Sequence, residues 1–102
     1  MSYTLETMFP KGSFSTIALT NVAQEIAPNL QAVYVTGGVI VGGAAIEVVR
    51  FRSQDAATIY FDVLVPINAV IPLWSFRAER GLEVVTTSVA GDVGVALSYV
   101  TV

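Results

Sequence analysis

The residues of this chain that could carry chemistry are few, and their types already exclude most catalytic machinery. The 102 residues contain no His and no Cys. Disulfides, thiolate or imidazole metal ligands, Cys nucleophiles and every imidazole-based triad are therefore ruled out among them. Five basic residues remain, Lys11, Arg50, Arg52, Arg77 and Arg80, against eight acidic ones, for a net charge of −3. A nucleic-acid binder neutralises phosphates with a basic patch. Arg50-Phe51-Arg52 and Phe76-Arg77 do interleave basic and aromatic residues, as single-strand readers do. Four scattered Arg and one Lys still make no patch, so no nucleic-acid partner is expected.

The carboxylates offer one candidate pair. If the polar turn 53–56 is a symmetric connection, Glu47 faces Asp62, Arg50 faces Ile59 and Arg52 faces Ala57. Opposed carboxylates repel, so such a pair would share a proton or hold a cation. A register slip, a bulge or solvation at an edge would remove the conflict equally well. Calcium takes six to eight oxygens from loops rich in Asp, Asn and Gly, and no such loop is present. No metal and no other cofactor is expected. Ser and Thr nucleophiles lack a base, since Lys11 is the one lysine. Gly12-Ser13-Phe14-Ser15 has no strand-turn-helix context for a nucleophile elbow. The pairs Gly37-Gly38 and Gly42-Gly43 lack the lysine and helix of a phosphate loop. The chain reads as a non-enzyme.

The elements that must position these residues are strands. Val, Ile and Thr make up 33 of the 102 residues, and branching at Cβ favours a pleated surface over a helix. No stretch of ten residues keeps a helical period free of Gly or Pro. Gly, Pro and polar turns divide the chain into about eight antiparallel strands: 14–19, 22–27, 30–36, 44–52, 57–65, 71–78, 82–89 and 93–102. That spacing predicts an all-β fold, a single β-sandwich of jelly-roll-like or immunoglobulin-like type. Residues 1–13 read as a short N-terminal arm and 14–102 as the sandwich. Strands 44–52 and 57–65 form the clearest hairpin. Strands 82–89 and 93–102 are expected to form another, since three residues separate them. The uncharged stretch 26–46 is long enough to span a bilayer. Pro28, the two Gly pairs and the β-branched content weigh against a membrane helix, so no membrane partner is expected. Residues 2–9 have neither a basic nor an apolar signal region.

Contact surfaces remain as the place for function. Hydrophobic residues are 54% of the chain and charged residues 13%, about half the usual charged share. Phe9, within Met8-Phe9-Pro10, is a docking point on the arm. Val39, Ile40 and Val41 lie between the Gly pairs, as either a bent core strand or an apolar finger. Trp74 is a core or interface anchor, or a sugar platform with Tyr60 beside it. The hairpin carries apolar residues on both faces. One face holds Ile46, Val48, Ile59, Phe61, Val63 and Val65. The other holds Val49, Phe51, Tyr60 and Leu64 around Glu47 and Asp62. One face fills the core and the other meets a second chain, with Arg50 and Arg52 at the tip reaching acidic groups. Substituting Asp for Phe51 and for Phe61 should then unfold the chain in one case and dissociate it in the other.

From Ala57 onward the chain carries Thr58-Ile59-Tyr60-Phe61-Asp62-Val63, Pro66 and Ile71-Pro72-Leu73-Trp74-Ser75-Phe76. Ala78, Gly81-Leu82-Glu83-Val84-Val85 and Val95-Ala96-Leu97-Ser98-Tyr99-Val100 follow. This layout, under half of the chain, resembles small β-sandwich virion proteins of tailed bacteriophages, the capsid cement, decoration or head accessory type. The resemblance implies a structural protein of the virion, made in the host cytoplasm, that bridges copies of the major capsid protein. It also implies a homo-oligomer, with a trimer suiting a capsid three-fold. The alternative is a glycan- or receptor-binding module of a phage tail or secreted surface.

Overall fold

The structure, a computed structural model, describes residues 11–19, 22–27, 31–87 and 92–101. Nine strands form among the described residues: β1 (Lys11–Leu19), β2 (Gln24–Ala27), β3 (Val33–Val41), β4 (Glu47–Arg52), β5 (Ile59–Val65), β6 (Val70–Leu73), β7 (Phe76–Ala78), β8 (Leu82–Thr86) and β9 (Val93–Thr101). The pairing is antiparallel throughout. One sheet has the order β1-β9-β3-β6, with β7 also on β3, and the other the order β2-β8-β4-β5. The fold is all-β, a β-sandwich. Its chain alternates between the sheets in the manner of a jelly roll, not of an immunoglobulin domain.

Alternation along the strands decides which side chains fill the space between the sheets. On β4, Glu47, Val49 and Phe51 are buried while Val48, Arg50 and Arg52 are partly exposed. Val33, Val35, Ile40, Val49, Phe51, Val65, Leu82, Val84 and Val93 have no exposed surface. Phe51 stacks on Phe61 at 4.8 Å and meets Phe76 edge-on at 5.8 Å. Phe61 also touches Phe76 and Trp74, both at 4.8 Å. Each such aromatic pair adds about 0.5–1.5 kcal/mol beyond area burial, so this cluster pins β5 and the β6–β7 corner to the core.

The hairpin β4–β5 forms, but in a different register from the symmetric one. Arg50 pairs with Asp62, Phe51 with Phe61 and Glu47 with Val65. The connection is longer than four residues because Ser53 and Thr58 close it, Ser53 N–H donating to the Thr58 carbonyl at 2.7 Å. An odd shift in register exchanges the faces. Phe51 and Phe61 therefore share the inner face, and the expectation that one of them meets a partner is overturned. Both substitutions to Asp should unfold the chain. Glu47 and Asp62 are not opposed, so the acid pair does not exist.

The closing hairpin is also corrected. Strands β8 and β9 lie in different sheets, because the chain crosses the sandwich between Thr86 and Val93. The expected strand 30–36 and the Gly-bracketed residues 39–41, read as a bent core strand or a finger, lie in one strand, β3. It passes through Gly37-Gly38 with a register shift between Val35 and Gly37. A Cβ at Gly38 would collide with the Ala96 carbonyl oxygen, so the glycine lets β3 and β9 stay paired. Val39, Ile40 and Val41 are paired on both sides, with β6 and β9, and are no protruding finger. The expected strand 71–78 is broken at Trp74-Ser75 into β6 and β7. Strand β1 begins at Lys11, three residues before the expected start. No helix among the described residues is long and apolar enough to cross a membrane.

Candidate functional site, an apolar corner

At one end of the sandwich the chain turns from β3 to β4 and from β5 to β6. These two corners are tied together. Gly42 N–H donates to the Ala69 carbonyl (2.6 Å) and Asn68 N–H to the Gly43 carbonyl (3.0 Å). Ala69 N–H closes the inner turn on the Pro66 carbonyl at 3.2 Å, and Asn68 sits at φ 57° to make it possible. Ala44 N–H donates to Asp92 Oδ2 at 3.0 Å. Gly42 is buried between the corners, and a Cβ there would collide with the Pro66 carbonyl oxygen. The backbone is thus braced by hydrogen bonds on both corners.

What this braced corner presents is apolar. Ile46, Leu64, Ile67 and Val70 are each more than half exposed, and Val41, the register partner of Val70, is 43% exposed. Trp74 and Ile59, farther along the same side, are each about half exposed. Leu64 faces outward from β5, and Ile67 caps the turn. No basic side chain lies on these two corners. Among the described residues the acidic groups near them are Asp92, turned onto the Ala44 amide, Glu47, which is buried, and Asp62, paired with Arg50. Glu47 Oε2 accepts from the Thr86 hydroxyl at 3.2 Å, while its Oε1 has no hydrogen-bond partner among the described residues. A rigid, charge-free apolar surface is what a protein contact uses, since its ordering entropy has already been lost in folding.

The other residues singled out from sequence do different work. Phe9 lies outside the described residues. Phe51 and Ile40 are core, and Val39 is half-buried. Arg50 is not a free tip residue: its guanidinium binds Asp62 through two hydrogen bonds, 2.9 and 3.1 Å. That fork holds the Asp62 carboxyl below the usual carboxylate range and raises the guanidinium further. Arg52 pairs with Glu83 across β4 and β8 at 2.5 Å. Tyr60 sits at the bulge that shifts β5, and its hydroxyl donates to the Gly81 carbonyl (2.7 Å) and accepts from Arg80 N–H (3.0 Å). It braces the opposite end. Trp74 is exposed on one side and lies on Phe61 with the other. The sequence reading missed Ile67 and Val70 as contact residues. Its available signal was large aliphatic side chains at turn positions, in Pro66-Ile67-Asn68-Ala69.

A shallow groove of about 320 Å³ lies across β3 and β9, lined by Ser13, Gly37, Gly38, Val39, Ala96, Leu97 and Ser98. It contains no titratable side chain. Among the described residues no cluster of acidic groups could hold a metal ion.

The fold and this surface define a small jelly-roll β-sandwich. No protein-family model matches the chain, and no curated protein matches it. Among solved structures it is similar to a chain from Bacillus endospore appendages, described as forming a novel family of disulfide-linked pili. The TM-score is 0.57 at 18% identity, covering 89% of this chain and 81% of that one. At that identity the likeness is one of fold. A phage protein was implied by the resemblance, and an appendage protein is what the fold matches. The disulfide link named for that protein has no counterpart here, where Cys is absent.

Proposed function

We propose that the chain is a non-enzymatic structural subunit that works by assembling, first of all with copies of itself. The observation that carries this reading is the braced apolar corner, an uncharged surface of large aliphatic side chains held by two cross-bonded turns. The fold likeness to a pilus-forming appendage protein supports it, because a similar sandwich serves there as a building block. Light scattering after size exclusion, with electron microscopy of the concentrated protein, tests it. Closed oligomers or filaments are expected. A monomer that stays soluble at millimolar concentration would overturn it.

A second reading places the subunit in a phage virion, decorating or cementing the capsid by bridging copies of the major capsid protein. The Ala57-to-Val100 resemblance supports it, as does the jelly-roll order common among capsid domains. Co-sedimentation with empty capsids separates the two readings. Saturable binding at fixed stoichiometry favours the capsid, and self-assembly without capsid binding favours the homopolymer.

A further inference from the structure

The sandwich has four edges, and three of them carry features that oppose pairing with another chain. Strand β2 is four residues long, carries Glu25 and shifts register between Glu25 and Ala27. The β6–β7 edge is cut at Trp74-Ser75, and Pro72 has no N–H to offer. Strand β1 starts with Lys11 and shifts register between Thr16 and Leu19. Strand β5 is different. Its seven residues include no Lys, Pro or Gly, and its single charge, Asp62, is already neutralised by Arg50. Its pairing with β4 is regular from Phe61 to Val65, and among the described residues no strand covers its other side.

We infer that β5 pairs antiparallel with β5 of a second copy, joining two four-stranded sheets into one of eight strands about a two-fold axis. This rests on the self-assembly reading and names the junction. The two-fold passes beside Val63. Residues 61–65 of each copy then overlap, with inner-face Phe61, Val63 and Val65 kept on the inner side, as the two-residue period demands. Leu64 sits opposite the second copy's Asp62, so the two Asp62 carboxylates are staggered. A register centred on Asp62 would oppose them and is disfavoured. A second copy is the fitting occupant because the rim beside β5 is apolar and uncharged, and so complements itself. Ile59, Leu64, Ile67, Val70 and Trp74 are each half exposed or more, so each copy brings five large apolar side chains toward an interface, which needs on the order of 1,000 Å² in all.

Because the chain has no Cys, a single thiol reports the geometry. In V63C two thiols face each other across the axis, where opposed Cα atoms of an antiparallel pair lie about 4.5–5.5 Å apart, within disulfide reach. Mild oxidation of V63C should give a covalent dimer, while L64C, opposed to Asp62, should give far less. Leu64→Lys should reduce the scattering mass from two chains to one with an unchanged far-UV spectrum. Val22→Lys, on the far side, should leave it at two. Should Leu64→Lys fail to fold, hydrogen exchange on the wild type decides: amides of 59–65 should gain protection as concentration rises. Wild-type assembly with no V63C dimer and no such protection overturns the β5 junction and leaves self-assembly standing. A wild-type monomer at every concentration overturns both.

Discussion

The two ends of this sandwich solve the same problem, closing a pair of loops, with opposite chemistry. At one end the β4–β5 connection and the β7–β8 turn are held by side chains. Ser53 donates to Asp55 (2.6 Å), Thr58 N–H to Ser53 Oγ (2.9 Å), and the Tyr60 hydroxyl clasps Gly81 and Arg80. Arg80 also lies 3.7 Å from Asp55. At the other end the β3–β4 and β5–β6 corners are held mainly by backbone, and their large side chains are left facing outward. Polar side chains spent on a network are not available for contact. The backbone-braced end keeps its side chains free, and that difference marks it as the contact end.

Breaking the contact end from within should have the largest effect. Gly42→Val drives a side chain into the Pro66 carbonyl and is expected to lower stability by about 3 kcal/mol, read from urea unfolding. Next comes the polar end. Tyr60→Phe leaves the Gly81 carbonyl and the Arg80 amide without their hydroxyl and should cost about 1–2 kcal/mol, with assembly unchanged. Ile67→Ser should move stability by no more than about 0.5 kcal/mol while weakening assembly in light scattering. An Ile67→Ser variant that loses stability and keeps assembling would reverse the assignment of the two ends. The smallest effect concerns protons. Asp55 is held below the usual carboxylate range by the Ser53 hydroxyl and then the Ala57 amide. Its stabilising contribution is present above the unfolded carboxylate value, about 4, and is lost as pH falls through the lower folded value. Acidification should therefore lower the protection factor of the Ala57 amide before that of Gly42, and Asp55→Asn should abolish the difference.

The strand content, the β4–β5 hairpin and the sandwich were legible because Cβ branching and turn residues act locally. What was not legible is long-range. Leu82–Thr86 and Val93–Thr101 are near neighbours in sequence, yet each is drawn to a different sheet by partners far away, β4 on one side and β3 on the other. The face assignment failed for a smaller reason. One bulge at Tyr60 and a connection closed by Ser53 and Thr58 shift the register by an odd number, and parity then moves Phe51 inward with Phe61. The contact corner was missed because exposure of Ile67 and Val70 depends on where the two turns stop. Composition showed only that some apolar surface had to remain outside.

The positions of β8 and β9 have a consequence for how the chain comes into being. Each is an inner strand, β8 between β2 and β4, β9 between β1 and β3. Strand β1 pairs with β9 and β2 with β8, so the strands synthesised first wait for those synthesised last. At about 5–20 residues per second on a ribosome, that wait lasts several seconds. The β2-β8-β4-β5 sheet cannot close until Leu82–Thr86 has emerged, nor the β1-β9-β3-β6 sheet until Val93–Thr101 has, so folding is a high-contact-order event. During that interval the open β5 edge is exposed on an incomplete sheet. Crowding nascent chains together should therefore raise misassembly more sharply than crowding finished ones.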